Sequence, residues 1–552
     1  MGELVLIFTL LGVVAALAVL ANGLRIPYPI LLVLGGLGLA FVPGTPRFRL
    51  EPDLVFLLFL PPLLFAAAYF TSWRDLWANA RPVGFLAVGL VLATTLAVAV
   101  AGHALGLPWA AAFVLGAVVS PTDAVAATAI AQRLGVPRRV VTVLEGESLV
   151  NDATGLVAFR VAASVAAGTA VFSVAGAGLQ FVVGAAGGVL LGVLTGWLTV
   201  RLLRMLDDPL IEAVVTLLVP FLTYILAEEG PHGVWHELLG LPGEPYFSGV
   251  LAVVTAGLVV GRKSPVVMSS SSRLEGRAVW DVVVFLLNGL AFILIGLQLP
   301  EVVRGLEGYS AADLARSGVL ISLTVVLVRL VWVFPAAYLP RLLSRRLRER
   351  DPYPAPASIA IIGWAGMRGV VSLAAALSLP LEAEGGAPFP ERSLILFLTF
   401  CVILTTLVLQ GLSLPPLIRF LGLEDDGQAE QEEVRARVRA AEAALRRLGE
   451  LETEAWVRGD TAERVRGQYN YRRDRFLALA RARFGANLGD PSGVGGDEDL
   501  EGRSSDYQRL LRELVRAQRG VLLELRDGGE IADEALRRVE HDLDLEEARL
   551  DR

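Results

Sequence analysis

Three short runs set acidic, amide and hydroxyl side chains inside otherwise apolar stretches. The first is Ser120-Pro121-Thr122-Asp123, within WAAAFVLGAVVSPTDAVAATAIAQRL. The second is LEGESLVNDATGLVAF, in which Ser148 and Asp152 lie four residues apart, as do Glu147 and Asn151. On a helix each of those pairs shares a face. The third, SIAIIGWAGMRGVVSLAAALSL, holds Arg368 among Gly363, Gly366 and Gly369. Arg329 is a further cation, in LTVVLVRLVWVF. A charge at mid-membrane costs about 2.5–3.5 kcal/mol on insertion scales, so residues placed this way mark function by default. Carboxylate, hydroxyl and freed backbone carbonyl oxygens are the ligands a hard cation takes.

The local expectations follow from residue type. Pro121 removes a backbone donor and clashes with the turn before it. Ser120 to Asp123 are therefore expected to unwind the helix and free carbonyls for a cation. Asp123 can equally cap the half-helix that follows, and a capped break is how such a site would be built. The polar cluster around Asp152 cannot face lipid, so it faces protein or a water-filled cavity. Arg368 needs a counter-charge, and Glu147 is the partner expected, which leaves Asp152 free to titrate. Arg329 is left with two roles, pairing with a carboxylate or capping a broken helix end. Arg160, toward the outer end of its helix, is expected to snorkel.

The elements that carry these residues are membrane helices. The chain has 552 residues, 54% hydrophobic and 19% charged, with mean hydropathy +0.58. A soluble protein of this length does not need so much apolar surface. The apolar runs are long and continuous, without the alternation of barrel strands. The spans fall at roughly 3–21, 26–42, 53–70, 82–101, 109–131, 139–166, 179–203, 210–228, 245–261, 277–299, 317–339, 357–379 and 393–414. The expected fold is an all-α polytopic membrane protein with 13 transmembrane helices. Spans 5 and 12 are the interrupted ones. They are seven spans apart, an odd offset, so they cross the membrane in opposite directions. Two interrupted helices at corresponding positions of inverted halves point to a secondary transporter.

Arginine placement orients the chain. Arg25, Arg74, Arg81, Arg133, Arg138, Arg139, Arg201, Arg204, Arg262, Arg273, Arg277 and the run from Arg341 to Arg350 fall in alternate loops, which are therefore cytoplasmic. The N-terminus is then outside and the tail inside the cell. The opposite loops carry acids such as Glu228, Glu229, Glu382 and Glu384. After Gly422 the composition turns to Glu, Asp and Arg, and a helical cytoplasmic tail is expected over 421–552. Helices are expected at 428–451 and about 452–485, then a linker from Gly485 to Gly502. A last helical pair, split near Asp527-Gly528-Gly529, has an apolar face of Leu510, Leu511, Leu514 and Val515. The single cysteine, Cys401, and four scattered histidines offer no disulfide or Cys-based metal framework.

The Pro121-Thr122-Asp123 run, the Glu147-Ser148-Leu149-Val150-Asn151-Asp152 run and the Gly366-Met367-Arg368-Gly369 run together resemble the monovalent cation/proton antiporters of the bacterial sodium/proton exchanger type. FLLNGLAFILIGLQL, RLVWVFPAAYLP and Leu60-Pro61-Pro62-Leu63-Leu64 add to the resemblance, which covers about residues 3–415. It implies that Asp152 binds ion and proton, while Thr122 and Ser148 supply further oxygens to a transported Na+. It also implies that Asp123 steadies the crossed breaks, Asn151 takes the place of a second acid, and Glu147 with Arg368 forms a structural ion pair. The domain expected at 1–420 would divide into a dimerisation part, about 1–75 and 175–300, and a mobile core, about 80–170 and 315–415. Some relatives carry an acid after LPPLLF, where this chain has Ala66.

The function expected is exchange of Na+, with Li+ as a further cargo, for H+, electroneutral and one-for-one, by alternating access with Asp152 binding either ion or proton, in a homodimer in the cell inner membrane among membrane lipids. No cofactor, no enzymatic activity and no nucleic-acid partner are expected. A K+/H+ antiporter of the same fold is the alternative, and a cation channel a weaker one. An intramembrane protease is disfavoured, because Ser148 lies in GESL rather than in a Gly-x-Ser-x-Gly turn.

Overall fold

The computed structural model describes residues 2–24, 26–42, 52–169, 173–230, 247–306, 308–423, 427–454 and 456–484, with isolated positions beyond. The chain divides into two compact units, Met1–Asp425 and Asp426–Arg552. The helices of the first unit begin with α1 (Gly2–Leu24), α2 (Tyr28–Ala40), α3 (Pro52–Phe70) and a short α4 (Trp73–Ala78). Next come α5 (Ala80–Ala104), α6 (Trp109–Val119), α7 (Val125–Arg133) and α8 (Arg138–Ala167). α9 (Val174–Leu203), α10 (Pro209–Glu228), α11 (Gly249–Val267), α12 (Ser270–Leu297) and α13 (Leu299–Arg304) follow. The unit ends with α14 (Ala311–Leu343), α15 (Arg345–Arg350), α16 (Pro356–Trp364), α17 (Val370–Leu377) and α18 (Arg392–Phe420). No β-strand forms among the described residues.

Every stretch read from the sequence as a span carries helix. Eight of the helices among the described residues are long and apolar enough to cross a membrane. Two of the stretches are not single helices. The chain leaves the helix at Ser120–Ala124, between α6 and α7, and at residues 365–369, between α16 and α17. Pro121 and the Gly363, Gly366, Gly369 set account for these positions.

Glycine brings backbones together where lipid gives no hydrophobic drive. Gly188, Gly192 and Gly196 form one stripe of α9, where an added Cβ would meet Ser248 O, Ala252 O and Val259 on α11. Around the breaks, α6 packs on α5, α8 and α18, while α14 packs on α5, α16 and α18. Two stretches are wide π turns, Phe85–Leu90 in α5 and Thr406–Gln410 in α18. At the start of the first, the Phe85 carbonyl accepts from Trp332 Nε1 at 3.1 Å.

In the second unit, α19 (Gln428–Leu451) packs against α20 (Gly459–Phe484). Val434, Val438 and Ala441 are buried at helical spacing on α19, with Ala462 on α20. The second tail helix starts at Gly459 rather than near 452, because Gly459 and Asp460 follow a turn. The expected linker from Gly485 lies outside the described residues, as does the last helical pair apart from isolated helical positions such as Val521 and Leu543.

Candidate functional site

The first break is held by the helix that faces it. Asn151, on α8, donates from Nδ2 to Thr122 Oγ1 at 2.7 Å and to Thr122 O at 3.2 Å. The Thr122 hydroxyl in turn donates to Glu147 Oε1 at 3.0 Å. Ser148 Oγ accepts from the Ala124 N–H at 3.3 Å. Asp123 Oδ1 accepts from the Val125 N–H at 2.9 Å, so the carboxylate closes the open amide end of α7. The Pro121 ring rests on Gly155 of α8, where an added Cβ would come within 3.1 Å of Pro121 Cδ.

The second break crosses the first. The Asp123 N–H donates to Met367 O at 2.8 Å, joining the two unwound segments through their main chains. Arg368 is fully buried. Its Nε donates to Val119 O at 3.1 Å, its Nη1 to Gly366 O, and its backbone N–H to Thr406 Oγ1 at 3.1 Å. Its Nη2 has no partner among the described residues.

Glu147 does not pair with Arg368. Its Oε2 accepts from Arg329 Nη2 at 2.8 Å and its Oε1 from Arg329 Nη1, a two-pronged ion pair sealed from solvent. Arg329 Nε also donates to Ile362 O at 3.1 Å, near the end of α16. Both roles left open for Arg329 are thus filled at once. The physical reason is that the guanidinium of Arg368 is turned to carbonyls that α6 and its own break leave exposed, while Arg329 presents both Nη groups to the carboxylate. A planar guanidinium matches a carboxylate two bonds at a time.

Asp152 is 4% exposed and makes no hydrogen bond or ion pair among the described residues. It shares a helix face with Ser148 and lies within electrostatic reach of Asp123. The Oδ1 of Asn151 is buried and unpartnered among the described residues. Thr122, Asp123, Glu147, Ser148 and Asn151 therefore form one connected cluster, with Asp152 beside it. Arg329 and Arg368 belong to the second break, and Arg329 reaches across.

Sequence reasoning missed Thr406 and Gln410. Both are fully buried on α18, and Gln410 has neither amide atom partnered among the described residues. Their signal was present: Thr399, Thr406 and Gln410 recur at helical spacing in an apolar run. Arg160 does not merely snorkel, since its Nη2 meets Glu228 Oε2 at 2.6 Å. Beyond the second break, Arg392 donates from Nε to Leu379 O at 2.9 Å and from Nη2 to Leu377 O at 3.2 Å, closing the end of α17. Beside it, in the loop before α14, the Tyr309 hydroxyl donates to Glu391 Oε2 at 2.6 Å. That bond, with the burial and charge around it, pushes the Tyr309 phenol up to about 12.

Residues 7–420 match the family described as the sodium/hydrogen exchanger, transmembrane. An uncharacterised Na+/H+ exchanger of Mycobacterium tuberculosis is 36% identical over 100% of this chain and 97% of its own length. A sodium, potassium, lithium and rubidium/H+ antiporter of Bacillus subtilis is 36% identical over 71% of this chain and 58% of its own. Among solved structures, the sodium/proton antiporter NhaP1 of Methanocaldococcus jannaschii shares the fold. Its TM-score is 0.59 at 20% identity, covering 76% of this chain and 99% of that one. The members of such a family are transporters, not enzymes. A family match over nearly the whole membrane unit, carried by relatives that align end to end, makes this chain a member of the sodium/hydrogen exchanger family.

Proposed function

We propose that the protein exchanges Na+ for H+ across the cell inner membrane by alternating access, one ion for one proton, with Asp152 as the carboxylate that both compete for. The observation that carries this reading is the isolation of Asp152: a buried carboxylate with no partner among the described residues, beside a cluster whose other acids are engaged. An unpartnered buried charge is costly, and either a proton or a sodium ion removes it. Neutral, the site can cross the barrier loaded with one or the other. Empty and charged, it crosses poorly. Ser148 and Thr122 would offer oxygens to the ion, and Asn151, an amide, adds no second charge to carry. Asp123 would steady the two breaks, and Glu147 with Arg329 would hold α8 to α14 and α16.

The rest of the reading is topological. Thirteen crossings, with the N-terminus outside and the tail cytoplasmic, accord with the arginine-rich alternate loops. The division into a dimerisation part, about 1–75 and 175–300, and a moving core, about 80–170 and 315–415, is supported by the packing of α5, α6, α8 and α14 around the breaks. A homodimer serving pH homeostasis completes the proposal. A broader cargo that includes K+ is favoured by one observation, the likeness to the sodium, potassium, lithium and rubidium/H+ antiporter of Bacillus subtilis.

Everted vesicles with a pH-gradient dye test all of this together. Sodium, lithium or potassium is added to wild type and to Asp152→Asn. Sodium should collapse the gradient in wild type and leave it intact in the variant. Exchange retained by Asp152→Asn would sink the mechanism. Equal responses to potassium would favour the broader cargo. In liposomes, transport that generates a membrane potential would rule out one-for-one exchange.

A further inference from the structure

The short helix α4 joins helices that keep different company. α3 packs against α11 and α12, whereas α5 packs against α6 and α14. Ser72 caps α4 by accepting from the Asp75 N–H at 3.3 Å. Its outward side carries Trp73 and Trp77, whose rings stack with centroids 5.7 Å apart. Trp77 is 71% exposed, and Phe70, at the end of α3, is 46% exposed.

Two arginines from other helices lie over these rings. Arg262 of α11 sits 5.9 Å from the Trp73 ring centre, and Arg277 of α12 sits 5.8 Å from that of Phe70. Both are exposed, and neither forms an ion pair among the described residues. Glu275 and Asp281 are exposed on the same helix as Arg277 but do not bind it. A guanidinium laid over a ring is held in place while its N–H edge stays free for an oxyanion. Tryptophan rings settle at headgroup level, and fixed arginines at the cytoplasmic surface attract acidic lipids.

The inner side of α4 touches the site-bearing helix. Leu76 packs on Gly146, where an added Cβ would come within 2.7 Å of Leu76 Cδ1. Gly146 is the neighbour of Glu147. Asp75 binds Arg138, the first residue of α8, at 2.5 Å.

We propose that Phe70, Trp73, Trp77, Arg262 and Arg277 form a binding site for the phosphate headgroup of an anionic phospholipid in the cytoplasmic leaflet, and that a lipid seated there fixes α4 against α8. The site rests on the orientation given above, not on which ion is carried.

Native mass spectrometry of the purified full-length protein reads the retained lipid. Released from micelles containing phosphatidylglycerol or phosphatidylcholine, wild type should keep the first in preference. Arg262→Gln with Arg277→Gln should lower phosphatidylglycerol retention about tenfold, taking roughly one tenfold step as the floor for two lost surface charges. Arg346→Gln with Arg348→Gln, which removes two exposed charges elsewhere, should not. Equal retention of both lipids, or an equal loss in both double variants, overturns the site. Should the first double variant fail to fold, Trp77→Leu supplies the test, with reduced retention expected and unchanged retention overturning it. In liposomes, added phosphatidylglycerol should change the exchange rate of wild type and not of the arginine variant; an unchanged wild-type rate overturns the link to α8. Retention is read without transport. A protein that keeps the lipid yet exchanges no ion would leave this site standing and defeat the antiport reading alone.

Discussion

Between α6 and α7 the chain leaves the helix for Ser120–Ala124, and its own acid, Asp123, turns back to the Val125 N–H. Between α16 and α17 it leaves for residues 365–369, and its own base, Arg368, turns to Val119 O and Gly366 O. A helix break exposes amides at one new end and carbonyls at the other. The amide end of α7 meets a carboxylate and the Ser148 hydroxyl. The carbonyl ends meet arginines: Arg368 at α6, Arg329 at α16 and Arg392 at α17. The end of α7 uses neither. It closes on Gly135, at φ +65°, with the Val136 N–H donating to Ala131 O at 3.0 Å. The difference teaches that buried charge here follows helix polarity first and opposite charge second. Glu147 and Arg329 are where the two rules coincide.

The sharpest way to break that comparison is at Glu147. Glu147→Ala strands Arg329 in the interior, and a loss of about 3–5 kcal/mol is expected, read as a fall in melting temperature of the purified protein. Glu147→Leu combined with Arg329→Leu should recover much of it, since removing both partners costs less than removing one. Recovery with Arg368→Leu instead would show that the wrong arginine has been paired. A smaller loss, about 1.5–3 kcal/mol, is expected for Arg368→Lys, because an ammonium cannot reach two carbonyls in a fixed fork. The same melting assay reads it, and stability equal to wild type would mean that charge alone suffices at the second break. Thr406→Val removes the acceptor of the Arg368 N–H together with the hydroxyl's own bond back to Val402 O, and because the buried N–H is the group left unpaired, about 1–2 kcal/mol should go. Tyr309 gives the smallest effect. Its phenol is raised to about 12 by Glu391, so its contribution is present below its unfolded value, near 10. It is lost as pH climbs from there through the folded value. Absorbance titration of wild type against Tyr309→Phe should show one tyrosine fewer ionising near 12 in the variant.

Much of this arrangement could be read from residue order. Pro121 and the spaced glycines announced both breaks, and isolated polar residues announced the α8 cluster, because each acts through its own helix. Partner choice could not be read. Arg329 and Arg368 are both single arginines in apolar runs, and nothing in their spacing says which lies beside Glu147. That depends on how α14 and α16 pack on α8. The pairing of Arg160 with Glu228 was missed for the same reason, the two being contributed by different helices. The main-chain bond from Asp123 to Met367 leaves no trace in residue types at all.

That last contact has a consequence for genetics. It is made of peptide groups, so exchanging either side chain leaves both its atoms in place. A scan by alanine would score Met367 by its packing and Asp123 by its carboxylate, and would pass over the main-chain bond that ties the two crossing segments. Only proline at 123, which lacks the hydrogen, can erase it. Tolerance at these positions is therefore no sign that the crossing is dispensable.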